Sequence, residues 1–307
     1  MGAIEYLPFD KRKPDAQYRE LLLRILDDGI NTMPQQEEQS KMVMGHQMRF
    51  ELKNGFPMIT ERNLLDENRN KKIFHMALGE LFAFLNGART QKELESFGCR
   101  WWKPWITKEK CEKRGLKEGD LGPGSYGPAW RNFPTSEGAG FDQISHIIQQ
   151  INELPRLRTH FVSPWIPQYT IRGKEKQQKV VVAPCHGWLH WFIFPETNQI
   201  SLHHFQRSAD VPVGLVCNLI QYGALLLMVA QVTGYKADAL VYTISDAHFY
   251  NSQLNDVQTI LEKTTAQCLP TVKIDPNVTD LFSFRQEHFT VSDYFPQLPF
   301  KRIPTPV

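Results

Sequence analysis

The segment 212–234, "PVGLVCNLIQYGALLLMVAQVTG", constrains this chain more than any other. It carries no charged side chain and has no polar face. A helix that is apolar all round must be enclosed by the rest of its protein. Pro212 near its start and Gly234 at its end are the residues that open and close helices. The chain therefore has to wrap around a buried central helix. With 307 residues, 41% of them hydrophobic, it has the apolar material to do so. The uninterrupted stretch "YGALLLMVAQV" is too short to cross a bilayer, which favours core over membrane span.

Periodicity supplies the wrapping elements. "DAQYRELLLRILDDG" puts Tyr18, Leu21, Leu22, Ile25 and Leu26 on one helical stripe that stops at Gly29. "KKIFHMALGELFAFLNG" reads as an amphipathic helix closed by Gly87, and "NSQLNDVQTILEK" as a further helix. "GHQMRFELKNGFPMIT" reads as a strand, a turn at Asn54-Gly55 and an extended run. "RTHFVSPW", "KVVVAPCHGWLHWFIF", "QISLHHFQRS" and "ALVYTIS" read as strands. The tail "FPQLPFKRIPTPV" is Pro-rich and irregular. Strands and helices mix without regular βαβ alternation. That predicts an α+β fold, one domain over residues 1–307 built on a mixed or antiparallel sheet.

Charge and cysteine usage exclude several roles. Net charge is +2, and the Lys-rich runs "TKEKCEKRG" and "RGKEKQQK" read as solvated loops. No DNA or other nucleic acid is expected as partner. The N-terminus lacks an apolar signal core, and Tyr6 breaks the pattern that a Met-Gly start would need for acylation. Five cysteines without CxxC spacing point away from a disulfide framework and from a zinc site, so no metal is expected. A reducing, cytoplasmic setting and no membrane association are the expectation.

Several polar residues stand where apolar ones belong. Glu80 lies on the apolar stripe of its helix, with Ile73, Ala77 and Phe84 as helical neighbours. Burial would raise its pKa and suit it to proton transfer; a structural carboxylate held by backbone donors is the other reading. Asn218 sits inside the central helix, either bonding another helix or reading a flat polar ligand edge. Gln206, Arg207, Ser208 and Asp210 cluster at one strand end, and His248 and Tyr250 at another. Arg beside Ser makes a natural anion site. Cys185 lies in the apolar run "VVVAPCHGWLHWFIF". Read as a strand, this run sends Cys185 and His186 to opposite faces, so "CH" is no catalytic dyad by itself. A buried hydrophobe and an activated thiolate both remain open there.

Taken together these residues resemble the thymidylate synthase family, from about residue 16 to the C-terminus. "QRSADVPVGLVCN" is similar to its central signature. "APCH", "GHQMRF" with "GFPMIT", "GELFAFLNG", "WWKPW", "GDLGPGSYGPAW" and "SDAHFY" follow in the family's order. The resemblance implies methylation of 2′-deoxyuridine 5′-monophosphate at C5. The one-carbon donor would be 5,10-methylenetetrahydrofolate, and no metal would take part. Cys185 would add to C6, because C5 of uracil is otherwise a poor nucleophile. Arg207 would favour the thiolate and bind the phosphate with Ser208 beside it, and Gln206 would also contact the nucleotide. Glu80 would be the acid/base, Asn218 would read the uracil edge, and His248 and Tyr250 would hold the 3′-hydroxyl. Tyr126 would assist removal of the C5 proton, with His186 behind it. Trp102, Trp105, Asp210 and Gly214 would shape the folate pocket, and Val307 would close over it. The fold implied is a twisted sheet packed by helices, paired back to back in a homodimer, with Arg158 reaching the neighbouring site.

Some positions depart from that pattern. The loop after the first helix, "NTMPQQEEQSK", has no Arg where the family carries one for phosphate, and Thr159 replaces a second arginine lent by the partner. Lys41 is the candidate substitute. Ala209 stands at a usual Cys, while Pro212, Val216 and Cys217 stand at usual Phe, Pro and Phe positions, so an aromatic bordering the folate is lost. The segments 106–119 and 168–178 are longer than in compact members. The alternative within this fold is a uridylate 5-hydroxymethylase using the same folate. Asn218 favours uracil, since cytosine-acting relatives carry Asp there. A catalytically idle nucleotide binder and a Cys-dependent hydrolase are the readings from other classes.

Overall fold

The computed structural model describes residues 4–65 and 73–306. Its helices are α1 (Gln17–Asp28), α2 (Ile73–Leu85), α3 (Gln91–Ser96), α4 (Lys108–Glu112), α5 (Tyr126–Arg131), α6 (Gln143–Glu153), α7 (Pro167–Thr170), α8 (Val216–Thr233) and α9 (Leu254–Lys263). The strands are β1 (Ile30–Thr32), β2 (Ser40–Glu51), β3 (Phe161–Val162), β4 (Trp188–Phe194), β5 (Gln199–Asp210), β6 (Lys236–Tyr250), β7 (Thr271–Ile274) and β8 (Phe289–Ser292).

The fold is α+β, one domain on a mixed six-stranded sheet of order β1-β2-β6-β5-β4-β3. β7 and β8 form a separate small sheet that the sequence did not announce. Among the described pairings of the main sheet, β5 with β6 is parallel and the others are antiparallel. A parallel pair needs a long crossover, and α8 supplies it. This is the central helix expected from 212–234. Val216 to Ala230 are all buried, and Gly234 ends the helix in the left-handed region at φ 77°. The helical run Val211–Thr233 spans 23 residues and is long and apolar enough to cross a membrane, which the shorter stretch did not suggest. It is enclosed by the protein itself: 83% of its most apolar window is buried.

The largest departure concerns Cys185. The strand expected over 179–194 begins only at Trp188. Residues 180–187 are irregular, and Gly187, at φ 98°, turns the chain into β4. An apolar run does not make a strand when a proline and a positive-φ glycine interrupt the ladder. "RTHFVSPW" contributes only Phe161–Val162 to the sheet. "ALVYTIS" is instead the middle of β6, which runs on through "DAHFY". Helix α6 was not expected, although Ile144, Ile147 and Ile151 give it a buried stripe and Asp142 caps it by accepting from Ser145 N.

Candidate active site

The β5–β6 register builds the floor of the site. Parallel pairing sets Gln206 opposite Ile244, Ser208 opposite Asp246 and Asp210 opposite His248. Two distant polar strand ends thus become neighbours. The Asp210 carboxylate accepts from Val213 N at 3.3 Å and so caps the π-helical turn Val211–Leu215 that leads into α8. This turn aims Asn218 back over the strand ends.

A cavity of about 330 Å³ opens there. Cys185, His186, Glu80, Tyr126 and Asn218 line it, as do Gln206, Ser208, His248, Tyr250, Asp210, Trp102, Trp105 and Gly214. Arg207 lines a second cavity of about 650 Å³ that shares Cys185, Ser208, His248 and Tyr250 with the first. Arg158 lines neither; it is exposed, and its carbonyl lies 3.1 Å from His190 Nε2. Val307 lies outside the described residues, while Thr305 and Pro306 before it line the first cavity. Lys41 is turned away, donating to the Leu26 carbonyl, so it is no substitute cation. Part of "TKEKCEKRG" is not a plain solvated loop, since Lys110, Lys113 and Arg114 line the second cavity.

Because residues 180–187 are not a strand, Cys185 and His186 share the cavity instead of facing opposite ways. Arg207 fixes this loop. Its Nε donates to Pro184 O and its Nη2 to Ala183 O, both at 2.8 Å, and Nη2 also lies 3.3 Å from Cys185 Sγ. Cys185 N donates to the Tyr126 hydroxyl at 2.8 Å. Burial pushes the Cys185 thiol above its ordinary pKa, and the Arg207 guanidinium pulls against it. Tyr126 is stacked between Phe84 and His186, at 4.6 and 4.4 Å. Its burial holds the phenol far above the usual range, so it stays protonated. Burial lowers the His186 pKa to about 3, so its ring is neutral, with Nδ1 2.5 Å from the Tyr222 hydroxyl.

Glu80 is 5% exposed and fully engaged. Its Oε1 accepts from the indoles of Trp101 and Trp102 at 2.6 and 2.5 Å, and its Oε2 from Gln221 at 2.6 Å. Burial raises its pKa, and these hydrogen bonds oppose the rise. Gln221 in turn accepts from Asn218 Nδ2 at 2.8 Å, and Asn218 Oδ1 accepts from Gln206 at 3.1 Å. Tyr242 donates to Gln206 and ends the chain of contacts. Asn218 is therefore bonded to polar partners and still borders the cavity.

Sequence reasoning passed over Gln221, Trp101, Asp246 and Gln253. Gln221 was legible as a second amide three residues after Asn218 on an apolar helix. Asp246 binds Ser208 Oγ at 2.8 Å and His248 Nδ1 at 3.1 Å, which offset its burial and lower its pKa. Gln253 Nε2 joins Asp210, at 3.1 Å, to the Pro304 carbonyl, at 2.7 Å.

The other side of the cavity suits a flat ring system with one polar edge. Trp102 and Trp105 stand edge to face at 6.2 Å. A Cβ at Gly214 would meet only Asp210 Cβ at 3.9 Å, so the glycine leaves open space. Asp210 offers a carboxyl whose pKa burial lifts to about 6. Cys217 lines the same wall as a thiol pushed up to about 12 by burial. Among the described residues, no group of three His, Cys, Asp or Glu could hold a metal ion.

A family model described as Thymidylate synthase matches residues 16–305. The match spans α1, the whole sheet, α8 and the tail that reaches the cavity. The chain belongs to the thymidylate synthase family.

Proposed function

We propose that this protein is a thymidylate synthase, methylating 2′-deoxyuridine 5′-monophosphate at C5 with 5,10-methylenetetrahydrofolate as one-carbon donor. The observation that carries this reading is the single cavity shared by Cys185 and Asn218, with Arg207 Nη2 3.3 Å from the sulfur. Asn218 Nδ2 has one hydrogen left after Gln221, and Oδ1 one lone pair left after Gln206. That donor and acceptor match O4 and N3–H of a uracil ring. Cys185 is then set to add at C6. Addition moves the C5–C6 π pair toward O4, where Asn218 and a proton governed by Glu80 stabilise the enolate. Once C5 has bonded to the donated carbon, loss of the C5 proton, assisted by Tyr126, release of the folate nitrogen, a hydride delivered to that carbon and departure of the Cys185 thiolate would restore the ring and leave a methyl group. His186 holds this wall by packing on Tyr126. His248 and Tyr250 sit where the ribose 3′-hydroxyl would be held, Arg207 and Ser208 face the phosphate side, and Gln206 stays beside Asn218 in the first cavity.

Trp102, Trp105, Asp210 and Gly214 would hold the reduced folate, with Val307 closing over it. When bound, the folate would supply the carbon and the hydride. Hydroxymethylation is the second reading, favoured by one observation: Cys217, smaller than the aromatic expected there, lines the wall of the cavity.

A homodimer with Arg158 entering the neighbouring site completes the proposal. It is supported by an uncovered row of aromatic side chains on the sheet, Phe161, Trp188, His190, Phe192 and Phe205. The five cysteines are all free, which fits a cytoplasmic setting. The test is the mass of the nucleotide product formed from deoxyuridylate and methylenetetrahydrofolate. A gained methyl supports the synthase; a gained hydroxymethyl selects the second reading. No gain, with no covalent 5-fluorodeoxyuridylate adduct at Cys185, overturns both.

A further inference from the structure

The loop that follows α1 brings only neutral residues to the second cavity: Thr32, Pro34, Gln35 and Gln36. The opposite wall carries the charge. Lys110 and Arg114 reach it from the segment around α4, Lys113 joins them, and Arg207 lies at the inner end beside Ser208. Asp246 is the carboxylate that lines this cavity, and it is already bonded to Ser208 and His248. The wall therefore has an excess of positive charge facing the nucleotide side of the site.

These cations are incompletely satisfied. Arg114 Nη1 donates to Lys110 O at 2.6 Å, but its Nε is buried without a hydrogen-bond partner, and Arg114 has no ion pair among the described residues. Arg172 lies close enough to depress the Arg114 pKa, beneath the larger effect of burial. Arg172 itself donates to Gln35 at 2.6 Å, so two cationic segments meet at the cavity's edge. Lys110 Nζ donates once, to Pro104 O at 2.9 Å, leaving two donors. Lys113 pairs with Glu109 at 2.7 Å, but both side chains are exposed, so the pair is weak and easily exchanged. Arg207 Nη1 makes no hydrogen bond among the described residues. Like charges gathered at a cavity mouth favour an anion between them.

We propose that Lys110, Lys113 and Arg114 form, with Arg207, an anion subsite within one chain that takes the 5′-phosphate of the nucleotide. This rests on the nucleotide reading above. The extended segment 106–119 thereby takes over the task of the arginines absent from the loop after α1 and from position 159. Phosphate oxygens would exchange one weak surface pair and several idle donors for charge-assisted hydrogen bonds.

The test compares the intact protein with the triple variant Lys110→Gln, Lys113→Gln, Arg114→Gln. A control variant, Lys103→Gln, Lys108→Gln, Lys117→Gln, removes as many charges outside the cavity. Binding of deoxyuridylate, deoxyuridine and inorganic phosphate is measured at low and at physiological salt, with melting curves to verify folding. We expect the triple variant to bind deoxyuridylate at least about tenfold more weakly and to lose phosphate binding, with deoxyuridine unchanged and the control unaffected. Equal deoxyuridylate and phosphate binding by the triple variant and the intact protein overturns the subsite. So does an intact protein that binds no phosphate. Phosphate binding that depends on these residues, without any deoxyuridine binding, would keep the subsite and overturn the nucleotide reading instead.

Discussion

Glu80 and Asn218 are joined through one side chain: Gln221 donates to Glu80 at 2.6 Å and accepts from Asn218 at 2.8 Å. An amide that gives its N–H to a carboxylate must turn its oxygen to the next residue. The orientation of Asn218 is thus set by the group expected to move protons.

Replacing Gln221 with Leu should break this coupling. Glu80 would lose one hydrogen bond in a buried setting, and stability should fall by about 1–3 kcal/mol. Turnover should fall more than nucleotide affinity, as measured by initial rates and by equilibrium titration. An unchanged rate would remove Gln221 from the site's working parts.

Arg207 opposes the burial that raises the Cys185 thiol. Arg207→Gln should raise the thiol further and leave less thiolate near neutral pH. Alkylation of Cys185 should then slow by roughly tenfold for each pH unit that the thiol's titration moves upward. The rate of iodoacetamide labelling against pH, corrected with Cys185→Ala, reads this directly. A profile unmoved by the substitution would mean that Arg207 serves only the loop.

Asp210 has a folded pKa of about 6 against an ordinary 3.8. Between these values the folded chain keeps a proton that the unfolded chain releases, so stability falls as pH rises from about 4 to about 6. Glu61 and Glu80 are raised in the same direction, so the difference between variants isolates Asp210. Asp210→Asn should gain on the order of 1–2 kcal/mol at pH 7 relative to pH 4, read from urea unfolding. A parallel pair of curves would count against the raised pKa.

Gln253 ties Asp210 to the tail at Pro304. Gln253→Leu should loosen residues 304–306 and raise the KM for folate more than that for nucleotide. Steady-state kinetics in both substrates separates the two.

The uncovered aromatic row of β4 and β5 pairs Trp188 with Phe205 at 5.5 Å. Phe205→Asp should move the protein toward a monomer by light scattering. A wild-type protein that is already monomeric would overturn the dimer reading.

Much of the fold was legible because period and composition report burial. The central helix, α1, α2 and the helix after β6 follow from apolar spacing alone. Strand ends were harder. The run 179–187 has the apolar composition of a strand, yet Pro184 and Gly187 break the ladder, and this local signal was outweighed by the apolar run. Glu80 was legible as a misplaced charge, whereas its pairing with Trp101 and Gln221 was not, because contacts across 21 and 141 residues leave no local mark.

The amino-acid order alone determined the buried helix, the α+β class and the polar residues that violate it, since each rests on local chemistry. Tertiary structure decided what those residues face. Parallel pairing of β5 with β6 set two remote strand ends side by side, and the turn at Gly187 put Cys185 and His186 on one wall. The same packing gave Lys41 to a helix carbonyl and brought Lys110, Lys113 and Arg114 to the cavity instead, because a side chain's reach depends on the backbone that carries it.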